Sequence, residues 1–258
     1  MPRNPNWNRP DTLAALNVYL LLPFGQLHRN QPKIKELARW IGRTANSVAL
    51  KLSNLASLDP QIVASGKHGM GNTSKLDETI WQELLVDWDR VALEAAAEYE
   101  RLATSHGLPP DIDVADALEL IPEGMTRLAT VNVRVNQARF RKAVLAGYDA
   151  TCCISGLRHE KLVIASHIVP WAQDTSNRLN PHNGLCLSAL HDRAYDQGLI
   201  TVMPDFKVRV SKSLAALTGD SFLTESLQRF DGQSIRLPER FRPAPEFLAL
   251  HAARFGYL

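Results

Sequence analysis

His167, Asn183 and His191 are the residues of this chain whose types and spacing do chemistry together. His167 ends the run Leu162-Val-Ile-Ala-Ser-His167, Asn183 opens an Asn-Gly turn, and His191 lies in the helical segment Leu190-His-Asp-Arg-Ala-Tyr-Asp196. A strand–loop–helix built from these segments lets one imidazole take a proton from water while the other holds a divalent metal. Phosphodiester hydrolysis needs that pairing, because negative charge gathers on the phosphoryl oxygens and on the departing 3′ oxygen. His167, just past an apolar strand, is the expected general base. An imidazole with its ordinary pKa near ~6.5 is mostly neutral at cellular pH and can accept the proton. Loss of such a base costs typically ~10²–10⁴-fold in rate.

Several elements are expected to position these groups. Gln137 to Tyr148 has the pattern of a basic amphipathic helix that buries Phe140, Val144 and Leu145. Cys152 to Leu157 reads as a turn, and Leu162 to Ala165 as the strand that delivers Ser166 and His167. Beyond the site, 199–202 and 207–210 alternate as two short strands around a Pro204-Asp205 turn, and a helix is expected from Pro245 to Phe255.

The order of short motifs here resembles the HNH endonuclease family, with its ββα-metal core. Gln137-x-x-Phe-Arg141, Cys152-x-Ile-Ser-Gly156, Ser166-His-Ile-x-Pro170, Asn183-Gly-Leu-Cys-Leu-Ser-Ala-Leu-His191 and Asp196-x-Gly-Leu-Ile200 look like the subgroup found in proteins assigned as bacterial restriction endonucleases. The match spans roughly 130 to 215, and several motifs in order are far more specific than one histidine pair. The resemblance implies that Asn183 fixes the loop by side-chain-to-backbone hydrogen bonds and that His191 is the metal ligand on the helix. Asp196, five positions on, is the expected second ligand or an orienting group. Two departures stand out. Many members carry an acid or a His immediately before the base, where it binds the metal; here that residue is Ser166, a poor ligand. The spacing of eight from Asn183 to His191 is one shorter than the commonest form. A water-rich shell of oxygen and imidazole suits Mg²⁺ or Mn²⁺. Structural zinc is not expected, because the chain has no Cys-x-x-Cys pair; Cys152, Cys153 and Cys186 read as small buried apolar residues.

The rest of the chain reads as a helical partner. Residues 1–104 are expected to form a helical domain, 105–125 an acidic, proline-containing linker, and 126–258 the nuclease domain, giving an α+β fold overall. Asp11 is the expected cap of a helix reaching about Leu22. Lys33 to Ile41 places Ile34, Leu37, Ala38 and Ile41 on one face, Gly42 ends that helix, and Thr44 caps the next. That next helix turns Val48, Leu52 and Leu55 inward and leaves Asn46, Ser47 and Lys51 outside. The pair is compatible with a helix-turn-helix. A single long helix is expected from Ser74 to about Ala103, with Ser74 and Asp77 in capping-box spacing. The stretch Gly42 to Pro60 is similar to a module of proteins assigned as restriction endonucleases that end in an HNH domain; it has no established role.

Charge supports a polyanionic partner. The net charge is +2, with Lys+Arg against Asp+Glu at 12 to 11 over 1–105, 0 to 5 over 106–124 and 17 to 11 over 125–258. Arg127, Arg134, Arg139, Arg141 and Lys142 form an uninterrupted basic stretch. Of these, Arg134, Arg139, Arg141 and Lys142, together with Lys51, are the expected DNA contacts; a solvated helix face is the alternative. No signal peptide and no membrane span are expected, and three cysteines without a disulfide framework suit a reducing cytoplasm. Three functions stay open: a metal-dependent DNA endonuclease in restriction or defence; a DNA-binding or regulatory protein with an inactive HNH core; and a nuclease on RNA or structured DNA. A homodimer is considered because two sites cut both strands more readily than one.

Overall fold

The computed structural model describes residues 6–64, 72–108 and 127–258, without the side chains of 64 and 127–134. Most of the expected linker therefore lies outside the described residues. The fold is α+β, with helices through the N-terminal half and two small antiparallel sheets in the C-terminal half. The chain divides into two compact units, Met1–Ala143 with Ser176–Leu179, and Val144–Thr175 with Asn180–Leu258. No helix among the described residues is long and apolar enough to cross a membrane.

The first unit is helical. Helix α1 (Arg9–Leu21) is buried without a break from Thr12 to Leu20, the signature of a helix surrounded by others; it packs against α3 (Ala45–Ser57) and α6 (Trp88–Ser105). Its cap is Asn8 rather than Asp11: the Asn8 side chain accepts the Asp11 N–H at 2.8 Å. Pro10, which has no N–H to satisfy, suits the first turn that follows. Helix α2 (Pro32–Trp40) buries Ile34, Leu37 and Ala38, and Gly42 turns the chain at φ +65°. Thr44 then caps α3 by accepting the Ser47 N–H at 3.1 Å. Val48, Leu52 and Leu55 are buried, as their spacing predicts.

Two expectations fail in this unit. Lys51 does not face out. It is 4% exposed, with its ammonium 2.6 Å from the Asp77 carboxylate and over the Trp7 ring at 4.7 Å. Asp77 is itself fixed by the capping box with Ser74, so a buried acid already in place draws the lysine inward. The single helix expected from Ser74 is two, α5 (Lys75–Val86) and α6, after the short α4 (Pro60–Ala64). The break is at Asp87, whose extended backbone lets its carboxylate accept the Arg90 N–H at 3.1 Å and cap the second helix. The stripe Ile80, Leu84, Trp88, Val91 and Ala95 is buried across the break.

Helix α7 (Arg127–Tyr148) contains the boundary between the units. The second unit begins with its last turn and a tight reversal at Asp149 and Ala150, both at positive φ. Strand β1 (Val163–His167) pairs antiparallel with β2 (Gly184–Ser188), in the register Val163 to Ser188 through His167 to Gly184. Helix α8 (Ala189–Asp196) follows at once and packs on both strands. β3 (Ile200–Val202) and β4 (Val208–Val210) form the expected hairpin. The short helices α9 (Lys212–Ala215) and α10 (Ser221–Ser226) lead to a tail that ends in α11 (Pro245–Arg254), packed on β3.

That tail completes the unit's backbone bonding. Arg236 N donates to Cys153 O at 2.8 Å, Ile235 N to Phe206 O at 2.9 Å, and Ala244 N to His182 O at 2.9 Å. Between α8 and β3, Gly198 takes φ +66°, and an added Cβ would lie 2.2 Å from the Phe255 ring. Only glycine meets both demands.

Candidate active site

The β1–β2–α8 unit brings the three chemistry-bearing residues onto one small scaffold. His167 is the last residue of β1, half-buried, and meets the Trp171 ring edge-on at 5.5 Å between centroids. It sits opposite Gly184, so its cross-strand neighbour has no side chain.

Asn183 is 1% exposed and closes a two-way clamp on Val169. Its Oδ1 accepts the Val169 N–H at 2.8 Å and its Nδ2 donates to the Val169 carbonyl at 3.1 Å. Its own carbonyl accepts the Ile168 N–H at 3.0 Å. The two residues after His167 are thus bonded to position 183. An Asn side chain presents a donor and an acceptor side by side, which is what one backbone amide–carbonyl pair requires.

His191 lies one turn into α8. Ser188 caps the helix, its Oγ accepting the His191 backbone N–H at 3.3 Å and lying 2.6 Å from His191 Nδ1. Cys152 Sγ is 3.9 Å from the same nitrogen, and the Phe230 ring approaches edge-on at 5.4 Å. The imidazole is 3% exposed, and its Nε2 is buried with no hydrogen-bond partner. Burial pushes the Cys152 thiol up, but hydrogen bonds from His191 and Ser155 outweigh it and hold it at about 6. Cys153, without such partners, is raised well above its ordinary value by burial. The cysteines are all buried, as expected, but Cys152 is not merely an apolar filler.

The acids near the site divide by exposure. Asp196 ends α8 exposed, its carboxyl raised by partial burial against the lowering charges of Arg193 and Arg254. Asp192, four residues earlier on the same helix face, is half-buried. Its carboxyl is raised by burial, opposed by the Ser166 hydroxyl, and raised further by Asp196. Ser166 is 4% exposed. Its hydroxyl is felt by Asp192 yet makes no hydrogen bond of good geometry. The position that carries an acid in many HNH sequences therefore faces an acid supplied by the helix. Among the described residues, no three His, Cys, Asp or Glu side chains converge as a cation cage.

Sequence reasoning did not single out Asp192, Ser188 or Cys152. For Ser188 a signal existed, since a Ser three residues before His191 is in capping spacing. Asp192 carried none beyond adjacency to His191, and Cys152 is 39 residues away. His182, expected as a surface loop residue, is instead half-buried: its Nδ1 lies 2.7 Å from the Arg242 carbonyl and its ring meets Phe241.

The expected DNA contacts are dispersed. Lys51 is spent on Asp77, as described. Arg139 is half-buried against Glu100, with Asn17 Oδ1 3.5 Å away, because α7 presents this arginine to an acid of α6. Arg141 is half-buried and Lys142 exposed. The Arg134 side chain lies outside the described residues.

Residues 152–203, about a fifth of the chain, match the family model for HNH endonuclease. The matched segment contains His167, Asn183 and His191 together with both strands of the first sheet and α8. A search of curated proteins finds no match.

Proposed function

We propose that this protein is a metal-dependent endonuclease that hydrolyses DNA phosphodiester bonds, acting in the cytoplasm in restriction or defence against foreign DNA. The observation that carries the reading is the braced histidine: His167 at a strand end, with the next two residues bonded to Asn183, inside a segment matching HNH endonuclease. His167 takes the proton of the attacking water. The oxygen then attacks phosphorus in line with the bond to the 3′ oxygen, which breaks as the new bond forms. Trp171 and the Asn183 clamp hold the imidazole where that proton is delivered.

A divalent cation bound here would neutralise the phosphoryl oxygens and the leaving group. The donors fit such an ion: His191 offers a buried Nε2 without a partner, and Asp192 and Asp196 offer carboxylate oxygens. Few protein ligands and many waters suit Mg²⁺ or Mn²⁺ rather than zinc. We assign 1–104 as a recognition domain, 105–125 as its linker and 126–258 as the nuclease domain. In the first, α2 and α3 are the elements that would read DNA. Buried Lys51 has no part in that reading, and Lys142 and Arg141 are the phosphate contacts best placed by exposure. Two sites in a homodimer would cut both strands.

The test is nicking of supercoiled plasmid with Mg²⁺ or Mn²⁺, run beside DNA binding by fluorescence anisotropy. The expected result is cleavage by the wild type, a loss of ~10²–10⁴-fold in His167→Ala, and unchanged binding. Absence of cleavage by the wild type with any divalent metal, with binding intact, refutes the enzyme. It would favour the binding-only reading, which Ser166 supports by standing where an acidic ligand is common. Labelled RNA offered to the same preparation tests substrate class.

A further inference from the structure

We infer that Cys152 is a positioning residue that, with Ser188, holds His191 as the Nδ1–H tautomer and so turns the lone pair of Nε2 outward for a metal. The inference rests on the reading of His191 as a metal ligand. Nδ1 has two neighbours, Ser188 Oγ at 2.6 Å and Cys152 Sγ at 3.9 Å. Each already accepts a backbone N–H: Ser188 Oγ from His191 N at 3.3 Å, and Cys152 Sγ from Ser155 N at 3.4 Å. Both atoms therefore present lone pairs, and a proton on Nδ1 lies between two acceptors.

The other tautomer fares worse on both sides of the ring. It would set the bare Nδ1 lone pair against the sulfur's, and it would leave Nε2–H as a buried donor with nothing to receive it. Ser188 alone does not decide between them, because a hydroxyl donates or accepts by rotating its proton. The sulfur supplies the bias. A ligating imidazole whose second nitrogen is held by an acceptor is fixed in orientation and tautomer, and loss of that partner costs typically ~10–100-fold in metal affinity. Cys152 reaches His191 from the turn before β1, and that turn is tied to β2 by the 2.7 Å bond from Cys153 N to Cys186 O. The sulfur is thereby placed by the same sheet that carries the site.

The experiment uses the full chain labelled with ¹⁵N-histidine. Long-range ¹H–¹⁵N correlation of the metal-free protein reads the tautomer of His191, and the electron paramagnetic resonance signal of free Mn²⁺ reads affinity. The wild type should show the proton on Nδ1. Cys152→Ala should shift the population toward Nε2–H and weaken Mn²⁺ binding ~10–100-fold, and Cys152→Ser, which keeps an acceptor, should recover most of both. A wild-type imidazole protonated on Nε2 overturns the inference without any variant. So does Cys152→Ala with tautomer and affinity unchanged while His191→Ala abolishes Mn²⁺ binding. If His191→Ala leaves Mn²⁺ binding unaffected, the metal reading of His191 fails instead, and the inference with it.

Discussion

Replacing Asn183 tests the claim that one side chain braces the loop behind the catalytic histidine. Asn183→Ala removes the bonds to Val169 N at 2.8 Å and Val169 O at 3.1 Å. Val169 is buried, so both backbone groups lose their partner without gaining water. An unsatisfied buried polar group costs about 1–3 kcal/mol; two of them, less some relaxation, give roughly 2–4 kcal/mol. Urea unfolding followed by far-UV circular dichroism reads the loss, and amide exchange at Val169 should accelerate locally. Cleavage should fall further than stability alone explains, since the imidazole two residues upstream loses its brace. Asn183→Asp is the sharper variant. It keeps the acceptor for the Val169 N–H but sets a carboxylate against the Val169 carbonyl, so its proton is held more tightly in the folded state than in the unfolded. The stability that proton confers is full below the unfolded carboxyl range near ~3.9 and is lost as pH rises, so the deficit against wild type should widen upward from about pH 4. A cost under about 1 kcal/mol for Asn183→Ala, with Val169 exchange unchanged, would refute the reasoning.

Other perturbations have equally definite outcomes. Gly198→Ala forces a Cβ to within 2.2 Å of the Phe255 ring at φ +66°; strain and overpacking should cost about 2–4 kcal/mol and lower the melting temperature. Lys51→Met leaves the Asp77 carboxylate buried and uncompensated and should destabilise the helical unit by about 3–5 kcal/mol. Tryptophan fluorescence reports that unit, because Trp7, Trp40, Trp81 and Trp88 lie in it, and Lys51→Met with Asp77→Asn should recover part of the loss. His251, buried and bonded to Thr201 Oγ1 at 2.8 Å, is lowered by burial to about 4. Its neutral form stabilises the fold above the unfolded histidine range near ~6.5, and that contribution is lost as pH falls toward about 4. His251→Gln should flatten this part of the stability–pH curve.

The chemistry of the site was more legible in the chain than its support. His167, Asn183 and His191 announce themselves because each acts within a few residues of its own backbone: a strand end, a turn and a helix start. The α2–α3 boundary was legible for the same reason, since Gly42 and Thr44 terminate and cap locally. What was hidden depends on distant partners. Lys51 looked solvent-facing by helical phase, and only Asp77, 26 residues on, pulls it into the core. The break at Asp87 was masked because the apolar stripe continues in phase through it. Strand β2 was hidden in a motif whose residues are all buried, which erases the alternation that marks a strand. Asp192 needed the β1–α8 packing before its closeness to Ser166 meant anything.

The tail that bonds to Cys153, Phe206 and His182 sets a limit on dissection of this protein. The segment 152–203, which carries the recognisable chemistry, is not a unit that a gene fragment can deliver intact. Excised, it would leave the amides and carbonyls that residues 235–244 now satisfy facing water or one another, and β3 without α11 against it. A minimal active fragment would have to keep the chain through its last helix, and a fusion partner attached behind that helix would burden the same element that closes the fold.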